Sequence, residues 1–309
     1  MKTEIDVVST ATGPDTQPGC LLQIHPVAMN GGLIRLSEEE IVVGRDDNCG
    51  LPLRDRSASR RHATILHAHT DAYVRDLGST NGTWVNDIRT GEEPFRLVAG
   101  DRVRFGTHVF KYLSANDIET QYHAAAYAMM TRDGSTGTLN KQSLFDHFDR
   151  EISRALHRQR ALSLILLDVD YFKSVNDRYG HLAGDEVLRE LCAQIHDQIS
   201  DEVLFARFGG EEFAILLPEE VGESAAEVAE GIRRTIEETE FNTCGGSIRV
   251  TVSLGVVEMA EVMHLIEGED TRRRRSERFR NELRSEMLEC CDQRLYRAKT
   301  AGRNRVVNQ

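Results

Sequence analysis

Residues 162–185 read LSLILLDVDYFKSVNDRYGHLAGD, and residues 206–218 read ARFGGEEFAILLP. Leu162–Leu167 is apolar except for Ser163, the pattern of a strand buried on both faces. Asp168 and Asp170 follow at its carboxyl end. Val203–Phe208 and Phe213–Leu217 flank Gly209-Gly210, a hairpin pattern, with Glu211 and Glu212 directly after the glycines. Asp185 stands beside Gly184 at the start of a helix marked by Val187, Leu188, Leu191, Cys192 and Ile195. Carboxylates at the ends of neighbouring strands can converge on Mg²⁺, a hard cation that takes oxygen ligands and shares them with phosphates.

On either side of these stretches the same alternation continues. Leu144, Phe145, Phe148, Ile152 and Leu156 recur at helical spacing. A helix over Ser224–Thr239, a strand over Ile248–Leu254 and a last helix ending near Lys299 complete an α/β domain over 133–309. Upstream, residues 21–113 break into short strands: LLQIH, GLIRL, EIVVG, HATILHA, AYVRDL, TWVN, FRLV, DRVRFG and VFKYL. Turn residues such as Asn30-Gly31-Gly32 and Asn81-Gly82 separate them, which predicts an all-β sandwich of antiparallel sheets. Between the two, residues 114–132 form a helical linker, with a helix over Asn116–Met130 capped by Asn116 or Asp117. Such a helix transmits rotation and sets dimer geometry, or serves as a passive spacer; both readings stand. Residues 1–20 lack periodic apolar positions and read as a flexible tail.

Composition limits the function classes. The 309 residues are 40% hydrophobic and 28% charged, as in a globular protein, and carry a net charge of −12. That balance supplies no general basic field for DNA or an anionic membrane, so a nucleotide site must build its own positive potential. No apolar stretch is long enough to span a bilayer and the first residues do not resemble a signal peptide, so a cytoplasmic protein is expected. The six cysteines show no zinc-type spacing and read as free thiols, several of them buried.

Four blocks in order, LDVDYFKSVNDRYGHLAGDEVL, ARFGGEEFAILLP, SLGV and DQRLYRAKTAGRNR, resemble the GGDEF family of diguanylate cyclases across residues 131–309. The resemblance implies a palm-like, nucleotidyl-cyclase fold with a mostly antiparallel central sheet, and a reaction that joins two GTP into cyclic di-GMP. It also implies a metal, Mg²⁺ or Mn²⁺, held by the Asp168 carboxylate, the Val169 carbonyl and the Glu211 carboxylate. Glu211 or Glu212 takes the proton of the attacking 3′-hydroxyl. Tyr171 and Phe172 offer main-chain N–H groups to the triphosphate, while Lys173, Lys299 and Arg303 add positive charge. Asn176 and Asp185 match the guanine-contacting positions. A carboxylate accepts from guanine N1–H and the exocyclic amine, whereas adenine has no donor at N1, so GTP is expected over ATP. Because each domain holds one GTP, catalysis requires a homodimer. Two departures stand out. The family's Asp-x-Leu-Thr-Gly-Leu-x-Asn motif appears as DGSTGTLN, with Ser135 and Thr138 in place of the leucines. The Arg-x-x-Asp product-inhibition motif is replaced by Ser200-Asp201-Glu202-Val203, so no product-inhibition site is expected. The long segment between Val257 and Cys290, with Arg272–Arg275, is either a solvated helix or a docking surface.

The stretches VVGRDDNCGLPLRDRSASRRHATI and VRDLGSTNGTWVN resemble the forkhead-associated (FHA) domain over residues 21–113. That family is an 11-stranded sandwich whose loops bind phosphothreonine peptides. The resemblance implies that Arg45 and Ser59, with Arg60 beside them and Thr80, contact the phosphate, and that Asn81 contacts the peptide backbone. His62 and Gly82 are scaffold. Thr3 and Thr12 are each followed three positions later by aspartate, a spacing such domains often prefer. Either is a candidate phosphosite for a Ser/Thr kinase, docking on an FHA domain of the same chain or its dimer partner; another protein's phosphothreonine peptide is the alternative partner.

Overall fold

Period-two patterning shows most plainly in residues 71–76, where Ala72, Val74 and Asp76 turn inward and their neighbours outward. In a computed structural model the chain is described over residues 19–26, 33–36, 40–46, 48–53, 55–68, 71–114, 118–200, 202–266 and 277–309. It divides into two units, Met1–Met130 and Thr131–Gln309. The tail threonines, the Asn30-Gly31-Gly32 turn, Asn116, Asp117, Asp201 and Arg272–Arg275 lie outside the described residues.

Among its described residues the first unit holds eleven strands: β1 (Cys20–His25), β2 (Leu33–Arg35), β3 (Glu40–Gly44), β4 (Leu51–Pro52), β5 (Ala63–Ala68), β6 (Asp71–Asp76), β7 (Thr83–Val85), β8 (Ile88–Arg89), β9 (Phe95–Leu97), β10 (Arg102–Phe105) and β11 (His108–Leu113). They form sheets in the order β2-β1-β11-β10-β7-β8 and β4-β3-β5-β6-β9. Leu21, Ile41, Val43, Ile65, Val74, Val103, Phe105 and Phe110 share one buried core. Nine of these strands follow the sequence pattern. β4 and β8 are two residues each, too short to show any period, and β4 contains a proline. Helix α1 (Ile118–Thr131) follows.

The second unit runs α2 (Lys141–Arg158), β12 (Leu162–Val169), α3 (Phe172–Tyr179), α4 (His181–His196), β13 (Leu204–Arg207), β14 (Glu212–Pro218), α5 (Gly222–Glu238), β15 (Phe241–Thr243), β16 (Gly246–Ile248), β17 (Val252–Glu258), α6 (Met259–Met263), α7 (Glu277–Thr300) and β18 (Val306–Val307). Its sheet is ordered β13-β14-β12-β17-β18. All its pairings are antiparallel except β17 with β18, as a mostly antiparallel sheet requires. Every residue of β12 is buried, which is why its sequence is apolar nearly throughout. Ile165, Leu167 and Val169 face one core with Phe172, Val187, Leu191, Ile195, Ala229 and Ile232 from α3, α4 and α5. Leu164, Leu166 and Asp168 point to the opposite face, which α2 and α7 cover.

Two local expectations change. The strand expected over Ile248–Leu254 divides into β16 and β17, and β16 pairs with β15 as a separate hairpin. Helix α3 has only two buried apolar residues, Phe172 and Val175, so it carries too little periodicity to be read from sequence. Of the cysteines, Cys20, Cys49, Cys192 and Cys291 are buried, Cys290 is half-buried and Cys244 exposed, and none is in a disulfide.

Packing of α7 along β12 positions the site. The Cys291 thiol donates to the Leu164 carbonyl at 3.5 Å and to the Gly255 carbonyl at 3.1 Å. From Cys291 to Lys299 the helix advances about 12 Å at ~1.5 Å per residue. From Leu164 to Asp168 the strand advances about 13 Å at ~3.3 Å per residue. The two rises match, so Lys299 arrives at Asp168.

Candidate functional site

Asp168 is the next-to-last residue of the buried strand, its carboxylate almost enclosed, and Lys299 Nζ lies 2.7 Å from its Oδ2. Antiparallel pairing sets Asp168 directly opposite Glu212. The Val169 N–H donates to the Glu211 carbonyl at 3.2 Å, which ties the residue after Asp168 to the hairpin. Burial pushes the Asp168 carboxyl up to about 6; Lys299 opposes that shift, and the negative charges of Glu211 and Glu212 add to it. These oxygen donors repel one another in a partly dry site, which is the chemistry a hard divalent cation relieves. Among the described residues no three metal-binding side chains are already gathered as a cluster, and Lys299 neutralises Asp168 instead.

Asp170 does a different job. Its carboxylate accepts from Thr251 Oγ1 at 2.7 Å, Ser253 Oγ at 2.7 Å and the Asn304 N–H at 3.0 Å, and its own N–H donates to the Thr251 carbonyl at 2.9 Å. It therefore joins β12, the start of β17 and the loop after α7. In the sequence Asp170 is one of two aspartates at the carboxyl end of the strand, and nothing local separates this structural role from ligation.

Tyr171 sits at φ +56°, in the left-handed region, and starts α3 without any side-chain cap. The first N–H groups of a helix have no intrahelical partners, so the Phe172 and Lys173 amides stand at an anion-attracting end. The Phe172 ring is buried in the core, consistent with a main-chain role alone. Lys173 is exposed. Arg303 reaches the same place, its guanidinium carbon 4.3 Å from the centre of the Tyr171 ring.

Asn176 is half-buried on α3 and Asp185 exposed on α4. A β-carbon at Gly184 would fall on Asn176 Oδ1, so the Asn176 amide occupies the space that this glycine leaves between α3 and α4. Asp185 directly follows Gly184, so the two residues expected to contact guanine lie where α3 and α4 approach each other.

The hairpin loop is held by a residue that the sequence did not single out. Arg207 donates through Nε to the Gly210 carbonyl at 3.0 Å and through Nη2 to the same carbonyl at 2.6 Å. Its Nη1 donates to Asp133 Oδ1 at 3.0 Å and also bonds the Ser135 hydroxyl. Asp133 further accepts from the Thr136 N–H at 2.9 Å and the Thr136 hydroxyl at 2.8 Å. Burial pushes the Asp133 carboxyl up, but the bonds from Thr136, Arg207 and Ser135 outweigh it and hold the group well below the usual carboxylate range. Ser135, which replaces a leucine of the family motif, thus adds a polar link. Thr138 is buried and shares a 3.0 Å bond with Thr136. In the loop itself, a β-carbon at Gly209 would lie 2.4 Å from Glu212 Oε2, so glycine is needed for the Glu212 carboxylate to fold back over the turn.

In the first unit, the Arg45 N–H donates to the Ser59 carbonyl at 2.8 Å, and the Thr80 N–H donates to Ser59 Oγ at 3.0 Å. Asn81 Nδ2 donates to the Ser57 carbonyl at 2.7 Å. Arg45, Arg60, Thr80 and Asn81 are exposed, with Ser59 between them. Beneath them, buried His62 accepts the Ser59 N–H at 3.2 Å through Nδ1, and its Nε2 lies 3.2 Å from the Gly82 carbonyl. Buried Asp76 accepts from Ser79 and Thr83. The loops bearing the five predicted residues are thus bonded into one surface.

Comparison with known protein families matches residues 130–271 to the diguanylate cyclase GGDEF domain and residues 41–106 to the FHA domain. The chain joins an FHA domain to a GGDEF domain. It is 32% identical over 206 residues to the diguanylate cyclase VdcA of Vibrio cholerae, covering 63% of this chain and 55% of that protein. To diguanylate cyclase A of Treponema denticola it is 31% identical over 251 residues, covering 77% of this chain and 62% of that protein. The chain therefore spans less than two thirds of either relative. Among solved structures it resembles the coiled coil and GGDEF domain of DgcB from Caulobacter crescentus in complex with c-di-GMP (TM-score 0.51, 27% identity, covering 61% of this chain and 91% of that one). It also resembles diguanylate cyclase SiaD of Pseudomonas aeruginosa in complex with its activator SiaC (TM-score 0.50, 29% identity, 62% and 66% covered). No described helix is long and apolar enough to cross a membrane.

The GGDEF family match stops at residue 271, short of Lys299 and Arg303. Those two residues reach the GGDEF site through α7 and the loop that follows it.

Proposed function

We propose that the chain is a diguanylate cyclase that converts two GTP into cyclic di-GMP and two pyrophosphates, under control of its FHA domain. The observation that carries this reading is the convergence of Asp168, Glu211 and Glu212 with Lys299, Arg303 and the uncapped start of α3. Asp168, the Val169 carbonyl and Glu211 would hold Mg²⁺ or Mn²⁺. When bound, that ion supplies stabilisation of negative charge developing on the phosphorus oxygens and the leaving group.

The amides at the start of α3 and the charges of Lys173, Lys299 and Arg303 hold the triphosphate. Asn176 and Asp185 read guanine. Glu211 or Glu212 accepts the proton of a ribose 3′-hydroxyl, the 3′-oxygen bonds to the α-phosphorus of the other GTP, and pyrophosphate leaves. Repetition in the opposite sense closes the ring, so two GGDEF domains must face each other in a homodimer. Substrate choice is tested by pyrophosphate release with each nucleotide. GTP is expected to exceed ATP in kcat/KM by on the order of 10³-fold, because adenine leaves the Asp185 carboxylate without its N1–H donor. Equal rates would refute the guanine assignment.

In the FHA domain, Arg45, Ser59, Arg60 and Thr80 bind the phosphate of a phosphothreonine and Asn81 the peptide main chain. Phospho-Thr3 or phospho-Thr12, made by a Ser/Thr kinase, is the proposed ligand, with its aspartate at the third following position. Synthetic peptides of residues 1–9 and 8–18 provide the check by fluorescence anisotropy. At least one phosphorylated form is expected to bind, with affinity reduced about tenfold or more by Arg45→Ala, since a charge-assisted fork to phosphate is lost. Equal binding of phosphorylated and unphosphorylated forms would exclude the tail as ligand.

A further inference from the structure

Arg303 is held from several sides. Its backbone lies at φ +63° and that of Asn304 at φ +47°, an unfavourable pair for side-chain-bearing residues. The turn is fixed by bonds from the Arg303 N–H to the Ala298 carbonyl at 3.0 Å and from the Asn304 N–H to Asp170 Oδ2 at 3.0 Å. The Asn304 side chain is itself gripped by Glu237 at 2.7 Å and Arg233 at 2.8 Å. The loop therefore aims one guanidinium at the start of α3.

What meets that guanidinium is a mostly exposed aromatic ring. Tyr171 is 65% exposed, outside the core that buries its neighbour Phe172. Arg303 stacks on the ring at 4.3 Å and donates from Nη1 to the phenol oxygen at 3.2 Å, while Nε stays 3.9 Å from Asp170 Oδ1. A guanidinium so stacked keeps its remaining in-plane donors for other acceptors. We infer that the Tyr171 side chain is a positioning residue that pre-sets Arg303 for the GTP phosphates, a role separate from the Tyr171 main chain. It rests on the nucleotide reading proposed above.

The test is calorimetric binding of 3′-deoxyguanosine triphosphate with Mg²⁺, a ligand that lacks the attacking hydroxyl and is not turned over. Tyr171→Ala is expected to weaken binding about fivefold. Tyr171→Phe, which keeps the stack, is expected to remain within about twofold of the parent. In an Arg303→Ala background, Tyr171→Ala is expected to add nothing. Unchanged affinity in Tyr171→Ala, or the full loss persisting without Arg303, overturns the positioning role while leaving the nucleotide reading intact. A parent protein that does not bind the nucleotide overturns both.

Discussion

Asp168→Asn is expected to lower cyclic di-GMP formation by at least 10³-fold while leaving the domain as stable as before or more so. Loss of activity follows from removing an anionic ligand beside the reacting phosphate, where electrostatic stabilisation commonly supplies the largest share of catalysis. The stability expectation follows from the sign of the pKa shift. The folded carboxyl titrates at about 6, above its value in an unfolded chain. The folded state therefore binds the proton more tightly, and stability falls as pH rises from about 4 to about 6. Above that window the ionised Asp168 costs about 2–3 kcal/mol, even with Lys299 alongside. Asparagine carries no such cost, and Lys299 is accessible enough to hydrate. Thermal melting at pH 7.5 in a metal chelator checks this: the variant is expected to match or exceed the parent. A melting temperature many degrees lower would mean that the Asp168–Lys299 pair is a stabilising element, not a site held ready for a cation.

The second large effect is expected at Arg207. Its side chain is only 17% exposed and joins the Gly209-Gly210 loop to Asp133 and Ser135. Arg207→Ala leaves the Gly210 carbonyl and the part-buried Asp133 carboxylate short of donors, a loss of about 2–4 kcal/mol in stability. Freed of its anchor, the loop no longer fixes Glu211 and Glu212 against Asp168. Turnover is expected to fall on the order of 10²-fold even in the fraction that stays folded, because small displacements of reacting groups are costly. Arg207→Lys does not restore it, since one ammonium cannot reach the two sides that the planar fork spans. Denaturant melts and turnover at saturating GTP measure the two effects separately. A variant with normal turnover would show that the loop holds its shape without Arg207.

How much of this was legible in the sequence depends on the range of each interaction. Buried strand β12 announces itself because both of its faces are covered and nearly every residue is apolar. The hairpin around Gly209-Gly210 was legible for the same kind of reason, as two apolar runs about a turn signal. The two-residue β4 and β8 leave no periodicity to read, and the three-residue strands β15 and β16 carry only one buried residue each to mark them. The contacts that organise the site are less visible still, because their partners are far apart in the chain. Arg207 and Asp133 are 74 residues apart, Arg303 and Tyr171 are 132 apart, and Asn304 and Asp170 are 134 apart. Charged residues in such positions look like any solvated charge until the fold brings them together. Ser135 is the clearest case. In sequence it is only a departure from the family motif, whereas in the fold its hydroxyl joins the Asp133–Arg207 pair.

Synthesis of cyclic di-GMP by this chain is tested by one incubation. Purified protein is mixed with GTP and Mg²⁺ at high protein concentration, with and without phosphorylated tail peptide, and the products are resolved by chromatography beside a Glu211→Ala control. Cyclic di-GMP and pyrophosphate are expected from the parent and neither from the variant. A folded, dimeric parent that leaves GTP unchanged under every condition would contradict this, and would make phosphopeptide binding by the FHA domain the main activity of the chain.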